Sequence, residues 1–247
     1  AAIGVDGALA AADKAALFKT FAKAFFQRRE LIATFMAKWS MDYPGQSGHL
    51  HQSLNAIDTS KNIFFDESDP QNMSDTMRFY VGGLQKHMKS FLAMTSPTVN
   101  SYTRLVRGAW APTAATWGVE NRTAALRVIK GDTKSQRVEF RVGSADANPY
   151  LTAAANIAAG LDGINNKIEP EAPVEGNAYD LQDDLPERLQ LSSNLRDANY
   201  AFNRSAVARQ YLGDTFVDHF SASRDWEVRE YERSVNDWQL KRYFEII

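Results

Sequence analysis

Apolar residues recur at helical spacing in two long stretches of the chain. In residues 8–29 they fall every three or four positions, which predicts an amphipathic helix. The same spacing in residues 74–95 predicts a second helix, with Ser74 as its N-cap. Gly82 and Gly83 lie inside this helix and would each cost it about 1 kcal/mol relative to alanine. We therefore expect another element to pack closely against them.

Further helices are predicted toward the C-terminus. Asn148 followed by Pro149 is a typical helix start, and the alanine-rich sequence continues it to about Asn165. A proline-rich acidic segment at residues 169–184 resembles a linker. Beyond it, the pattern predicts helices at residues 186–201, 205–221, 225–234 and from about 236.

Shorter stretches indicate strands between these helices. Residues 30–39 are almost continuously apolar, which predicts a strand buried on both faces. Alternation or β-prone composition predicts further strands at residues 48–55, 63–65, 123–129 and 136–142. The turn at Gly131 and Asp132 would join the last two as a hairpin.

Alternation in two of the strands collects polar side chains. Successive strand residues point to opposite sides, so residues two apart share a face. If both strands belong to one antiparallel sheet, a single concave surface carries His49, His51, Ser53, Arg127, Arg137, Glu139 and Arg141. Arginines outnumber carboxylates in residues 100–150, and a guanidinium without an internal partner binds phosphate or carboxylate groups. ATP with a dicarboxylic amino acid would suit this face, although a solvated outer face with ion pairs is an equally compatible interpretation.

The same residues restrict the metal and nucleotide chemistry. Imidazole and carboxylate without any cysteine favour Mg or Mn, and zinc would require a third histidine or cysteine nearby. A pair such as His49 and His51 can also be purely structural. The sequence contains neither GxxxxGK[ST] nor GxGxxG, so an ATP site would be neither a P-loop nor a kinase-type glycine loop.

The amino-acid composition limits the kinds of partner that the protein can bind. With 28 basic and 30 acidic residues the net charge is −2, which argues against binding to nucleic acid or to an anionic membrane. No apolar run is long enough to span a bilayer, and the absence of cysteine fits a cytoplasmic protein. The chain begins at Ala1 in the middle of a pattern, so we expect it to be a fragment.

Several motifs make the chain resemble the bacterial-type glutamine synthetases along nearly its whole length. They occur in the family's order and include SGHLHQSL, NSYTRLVRGAWAP, GVENRTAALRV, RVEFR and ANPYLTAAANIAAGLDGI. The resemblance implies an α+β fold, the glutamine synthetase catalytic domain, with a curved antiparallel sheet flanked by helices. Residues 1–247 would be the C-terminal part of that domain. The N-terminal β-grasp domain and the remaining metal-ligand strands would lie upstream, and the fragment alone would be inactive.

The resemblance also implies roles for individual residues. Matching motif positions make His49 and Glu139 the metal ligands. The implied ATP contacts are His51, Ser53, Arg122, Arg127, Lys134 and Arg137. The implied substrate contacts are Gly45, Arg104, Trp110 and Arg141, and the implied catalytic residues are Arg104 and Arg122. Tyr179 matches a position that some members modify by adenylylation, a modification we do not expect here.

Two departures from the family pattern concern the substrate. Pro44 replaces an asparagine that contacts glutamate, which leaves only Gly45 of that pair. Trp110 replaces the glutamate that helps ammonia-using members to hold ammonium. An indole has no basic group but offers an apolar wall and a face for a cation, which favours a larger amine. The alternative is an indole that merely packs beneath its loop.

The resulting prediction is an ATP-dependent ligase that joins the glutamate side-chain carboxylate to an amine through γ-glutamyl phosphate. Its cofactors would be ATP with Mg or Mn. Its partners would be small-molecule substrates and further copies of itself, in a double-ring dodecamer by resemblance. The alternatives are an ammonia-using glutamine synthetase and a non-catalytic relative retained for structure.

Overall fold

Helices surround a small sheet in the computed structural model, which describes residues 2–246. The helices in this part of the chain are α1 Ala8–Gln27, α2 Asp75–Thr95, α3 Val99–Arg104, α4 Pro149–Asn165, α5 Leu195–Asn203, α6 Ala206–Leu212, α7 Asp214–Arg233 and α8 Asp237–Tyr243. Every one of them is too short or too polar to cross a membrane.

Four strands form the sheet in the order β1-β4-β3-β2. Their bounds are β1 Leu50–Gln52, β2 Trp117–Val119, β3 Leu126–Ile129 and β4 Arg137–Phe140. The pairs β1–β4 and β3–β4 are antiparallel, whereas β2 and β3 are parallel. The α+β prediction is confirmed, but the sheet is mixed rather than wholly antiparallel. The reason is that residues 120–125 return the chain to the start of β2, so β3 runs in the same direction.

Glycines bring α2 and α4 into close contact. A Cβ atom on Gly83 would lie 2.2 Å from the carbonyl oxygen of Ala159 in α4, and one on Gly82 would lie 2.0 Å from that of Ile168, in the segment after α4. Any larger residue would push the backbones apart. The two glycines of α2 are therefore packing residues, as the sequence predicts, and α2 forms the centre of the buried core.

The predicted helix starts are confirmed by their caps. Ser74 accepts a hydrogen bond from the backbone N–H of Met77. The Asn148 side chain accepts from Tyr150 and Leu151. These bonds satisfy N–H groups that the first helical turn leaves without partners, so the polar cap fixes where each helix begins.

The strand prediction for residues 30–39 is wrong. This segment pairs with no strand in the described chain and is largely exposed, with Ile32 96% accessible. Residues 63–65 likewise contribute only an isolated bridge, Phe65 to Met73. Apolar composition alone cannot form a strand where no neighbouring backbone is available for pairing.

Helix bounds in the last 60 residues differ from the prediction. Gly213, with φ of 81°, ends α6, so the predicted helix at 205–221 is interrupted there. From Asp214, α7 continues without a break to Arg233 and absorbs the helix predicted at 225–234. Residues 186–201 begin with the short 3₁₀ turn Glu187–Leu189 and become α-helical only at Leu195.

Candidate functional site

Glu139 is the centre of a polar cluster on one face of the sheet. Its Oε1 atom lies 3.0 Å from His49 Nδ1 and 3.7 Å from His51 Nε2. Arg141 Nη1 donates to the same oxygen at 3.1 Å, and Arg127 Nη1 donates to Oε2 at 3.3 Å. Glu139 is only 4% exposed. The other interpretation of this strand, a solvated outer face with ion pairs, does not fit that burial.

Strand register explains why these side chains meet. His51 of β1 and Arg127 of β3 lie directly opposite Glu139 of β4 on its two sides. Residues opposite each other on neighbouring strands share a face, so the predicted polar surface is formed by strand pairing. Arg137, two residues before Glu139, extends it by donating from Nε to His51 Nδ1 at 3.2 Å.

The cluster strongly favours the ionised form of Glu139. Burial alone would raise its pKa, but the hydrogen bond with His49 and the charge of Arg141 outweigh burial and lower the pKa to about 2. Burial lowers the pKa of the nearby His51, Glu139 opposes this and Arg137 adds to it. Near neutral pH the site therefore holds a carboxylate with fixed arginine charges around it.

Arg104 and Arg141 form a second, deeply buried part of the site. Arg104 donates from Nη1 to the carbonyl oxygen of Val142 at 2.8 Å and from Nη2 to that of Arg141 at 3.3 Å. Burial lowers the pKa of Arg104 to about 10, and Asp146 partly opposes this. A Cβ atom on Gly45 would lie 2.7 Å from Arg104 Cγ, so the Gly45 backbone packs directly on this arginine.

Two buried polar atoms beside these arginines lack hydrogen-bond partners within the described residues. They are Arg141 Nε and the hydroxyl of Tyr179. Burial raises the pKa of Tyr179, whereas the charges of Arg141 and Arg104 oppose this rise. A buried arginine with a free donor is suited to receive an anionic ligand.

The other predicted nucleotide contacts are exposed and lie outside the Glu139 cluster. Ser53 follows β1, and Lys134 lies in the loop between β3 and β4. The end of β1 and the start of β4 are neighbours in the register, so these two residues share one end of the sheet. Arg122 is exposed in the turn between β2 and β3.

Trp110 lies in the segment between α3 and β2, and its side chain is exposed. It is 68% exposed, so within the described chain the indole does not pack beneath its loop. Its φ of 56° is unusual for a bulky residue and costs about 1–3 kcal/mol. An exposed aromatic side chain on a strained backbone is available for ligand contact.

Glu120 is a residue of this region that the sequence interpretation missed. Its Oε2 atom accepts from Arg127 Nε at 3.0 Å and also from Arg127 Nη2. Arg127 therefore has two carboxylate partners, contrary to the expectation of unpartnered arginines in this stretch. No periodicity could reveal this contact, because it depends on the parallel pairing that places Gly118 opposite Arg127.

His49 and Glu139 fit part of a shell for a divalent cation. His49 Nδ1 and Glu139 Oε1 are 3.0 Å apart, close to the separation of about 3 Å between adjacent ligands of an octahedral Mg ion. Such an ion takes about six ligands. Within residues 2–246, no group of three or more histidine and carboxylate side chains is arranged to hold one. The donors present suit Mg or Mn but do not complete its coordination.

Comparison with known proteins gives consistent matches. Residues 2–243 match the family described as glutamine synthetase, catalytic domain. Type-1 glutamine synthetase 2 of Dictyostelium discoideum is 49% identical over 100% of this chain and 47% of its own length. Glutamate–isopropylamine ligase of a Pseudomonas species is 36% identical over 99% of this chain and 53% of its own length.

A solved structure described as a GmaS/ADP complex superposes with a TM-score of 0.87 at 34% identity. The match covers 96% of this chain and 55% of that one. The chain therefore spans about half the length of the relatives it matches.

Proposed function

Since the chain belongs to the glutamine synthetase catalytic-domain family, we propose that the protein is an ATP-dependent ligase joining the side-chain carboxylate of glutamate to an amine. The observation that carries this proposal is the buried Glu139 carboxylate, with two histidines and two arginines converging on it. Phosphoryl transfer depends mainly on positioning and on neutralisation of charge, and this cluster is suited to both.

The reaction would proceed in two balanced steps. An oxygen of the glutamate side-chain carboxylate attacks the γ-phosphorus of ATP, and ADP leaves. The amine nitrogen then attacks the acyl carbon, phosphate leaves with that oxygen, and the nitrogen loses a proton. The relative solved with ADP supports nucleotide binding by this chain.

The residues would divide these tasks between them. His49 and Glu139 would hold a Mg or Mn ion, which when bound neutralises phosphate charge. Arg104 and Arg141 would fix the amino acid, because a buried guanidinium binds carboxylate strongly. The exposed Arg122 and Lys134, with His51, Ser53, Arg127 and Arg137, would bind ATP. The remaining metal ligands would come from sequence upstream of this chain.

Trp110 supports an amine larger than ammonia. Its exposed indole gives an apolar contact where a basic carboxylate would favour ammonium. The relative named glutamate–isopropylamine ligase agrees with this choice. Ammonia is the second candidate, favoured by the 49% identity to a type-1 glutamine synthetase.

Localisation, oligomeric state and domain position are inferred from the family. We infer a cytoplasmic homo-oligomer, a double-ring dodecamer, in which residues 1–247 are the C-terminal part of the catalytic domain. The many exposed apolar side chains of α1 and of the last residues, among them Phe21 and Phe244, support association with further protein surface.

An amine panel tests the proposed function. The full-length gene product would be assayed for ADP release with glutamate and either ammonium, ethylamine, an aniline or putrescine. We expect a higher kcat/KM for one of the organic amines than for ammonium. Preferred turnover of millimolar ammonium would instead support the glutamine synthetase candidate. No glutamate-dependent turnover with any amine would contradict the proposal.

A further inference from the structure

Glu120 connects two elements that carry proposed nucleotide contacts. Its Oε2 atom accepts from Nε of Arg127 at 3.0 Å and from Nη2 of the same side chain. Its Oε1 atom accepts from the backbone N–H of Lys130 at 3.1 Å. Lys130 begins the loop that carries Lys134 to β4. One carboxylate therefore holds both an arginine of β3 and the start of the next loop.

The backbone at Glu120 is also unusual. Its φ of 51° lies in the left-handed region, where a glutamate costs more than glycine or asparagine would. The hydrogen bond from Glu120 N to the carbonyl oxygen of Val128, at 2.9 Å, holds the residue in this conformation. The strained backbone directs a long acidic side chain across β3 to Arg127.

Arg127 is fixed on both sides by these contacts. Glu120 occupies Nε and Nη2, while Nη1 reaches Glu139 Oε2 at 3.3 Å. A planar guanidinium held by two carboxylates has one orientation, whereas a single contact would leave it free to rotate. The position of Arg127 beside the Glu139 cluster therefore depends on Glu120.

We propose that Glu120 is a positioning residue for nucleotide binding, acting through Arg127 and through the loop that carries Lys134. This inference rests on the proposed function, because it assumes that the phosphates of ATP bind at this end of the sheet. Glu120 itself would not contact the nucleotide. It would preserve the arrangement of the two cations that do.

The test compares Glu120→Gln with the parent in the full-length protein. The amide keeps the size of the side chain but loses the charge that holds the guanidinium. We expect the Kd for ADP and the KM for ATP to rise about tenfold, as is typical when a supporting contact is lost. The KM for glutamate and the melting temperature should stay close to the parent values. Unchanged ADP affinity would overturn the proposal.

Glu171→Gln is the matched control. Glu171 Oε1 accepts from Nε and Nη2 of Arg188 at 3.1 and 2.6 Å, so it forms the same type of carboxylate–arginine pair. The two glutamates are similarly exposed, 47% for Glu171 and 46% for Glu120. Loss of this control pair should leave the Kd for ADP within twofold of the parent value.

A double-mutant cycle with Arg127→Gln tests whether Glu120 acts through the arginine. We expect the loss of ADP affinity in the double variant to be smaller than the sum of the two single losses, because the route through Arg127 is then already removed and only the contact with the Lys130 N–H remains. Additive losses would overturn this route. ADP binding without turnover in the parent would contradict the proposed ligase reaction but still allow Glu120 to be tested.

Discussion

At the residue scale, Glu139 determines the charge balance of the site. Two largely buried arginines share its carboxylate, which is the carboxylate partner of Arg141 and one of two carboxylate partners of Arg127. Glu139→Gln would leave both guanidinium groups without that charge. Breaking a buried ion pair from one side typically costs about 3–5 kcal/mol. We predict a loss of about 3 kcal/mol in the free energy of unfolding, measured by urea denaturation.

Glu187→Gln is the control for this prediction. Glu187 pairs with Lys89 at 3.3 Å on an exposed surface, where an ion pair contributes about 0–1 kcal/mol. Its substitution should change the free energy of unfolding by less than 1 kcal/mol. An equally small loss in Glu139→Gln would show that Arg127 and Arg141 do not depend on the carboxylate.

A substitution of Trp110 can distinguish a role in ligand contact from a role in stabilising the fold. The exposed indole packs little, so Trp110→Ala should leave the melting temperature nearly unchanged. If the indole lines the amine site, the KM for the preferred amine should rise about tenfold, as loss of a large aromatic contact typically causes. Trp226→Ala, on the exposed face of α7, is the matched control. An unchanged KM for the amine would exclude Trp110 from the site.

At the scale of elements, the contact between α2 and α4 makes a direct prediction for Gly83. Alanine is favoured over glycine in a helix by about 1 kcal/mol. However, its Cβ would meet the Ala159 carbonyl oxygen at 2.2 Å, and overpacking typically costs about 1–3 kcal/mol. The net expectation is that Gly83→Ala lowers the free energy of unfolding by about 1 kcal/mol. Gly4→Ala, which meets no atom within 4 Å, should have little effect, and equal stability of the two would contradict this packing.

Elements with local signals could be predicted from the sequence, while those that depend on distant pairing could not. The caps Ser74 and Asn148 and the spacing of α2 are local, and the structure has them as expected. The apolar segment at residues 30–39 gives the same composition signal as a buried strand but finds no partner. The parallel pairing of β2 with β3 depends on the conformation of a six-residue turn, which no alternation pattern encodes.

The candidate site shows the same limit. Alternation within single strands was enough to predict that His49, His51 and Glu139 lie on one face, because the antiparallel register then places His51 opposite Glu139. Glu120 was missed since its contact crosses from the turn after β2 onto β3. Side chains that share a strand face could thus be predicted from the sequence, whereas the hydrogen bonds that reach Arg127 from the turn after β2 could not.

At the scale of the whole molecule, stability should fall as the pH drops below 6.5. Burial lowers the pKa of His87, and the charge of Lys86 lowers it further. Asp162 opposes this lowering, because its Oδ2 atom lies 2.7 Å from His87 Nε2. The pKa of His51 is lowered as well. The unfolded chain then binds more protons than the folded one below about pH 6.5, so protonation favours unfolding.

This predicts a lower melting temperature at pH 5.5 than at pH 7.5, with a smaller difference in His87→Gln. The pKa of Glu139 is lowered from 4.5, so its contribution is lost only at more acidic pH and does not enter this window. His219→Gln, on the exposed side of α7, is the control, and its melting temperature should change with pH as that of the parent protein does. If His87→Gln showed the same difference in melting temperature between pH 5.5 and pH 7.5 as the parent protein, the pH dependence would not come from His87 and Asp162.

Activation of glutamate by phosphoryl transfer can be followed by the transfer of an isotope from glutamate to phosphate. Glutamate labelled with ¹⁸O in its side-chain carboxylate would be incubated with the full-length protein, ATP, Mg and the preferred amine. Attack of the carboxylate on the γ-phosphorus predicts one ¹⁸O atom in each phosphate released, as measured by mass spectrometry. Unlabelled phosphate, formed together with the γ-glutamyl amide, would contradict an acyl phosphate and with it the function proposed for this site.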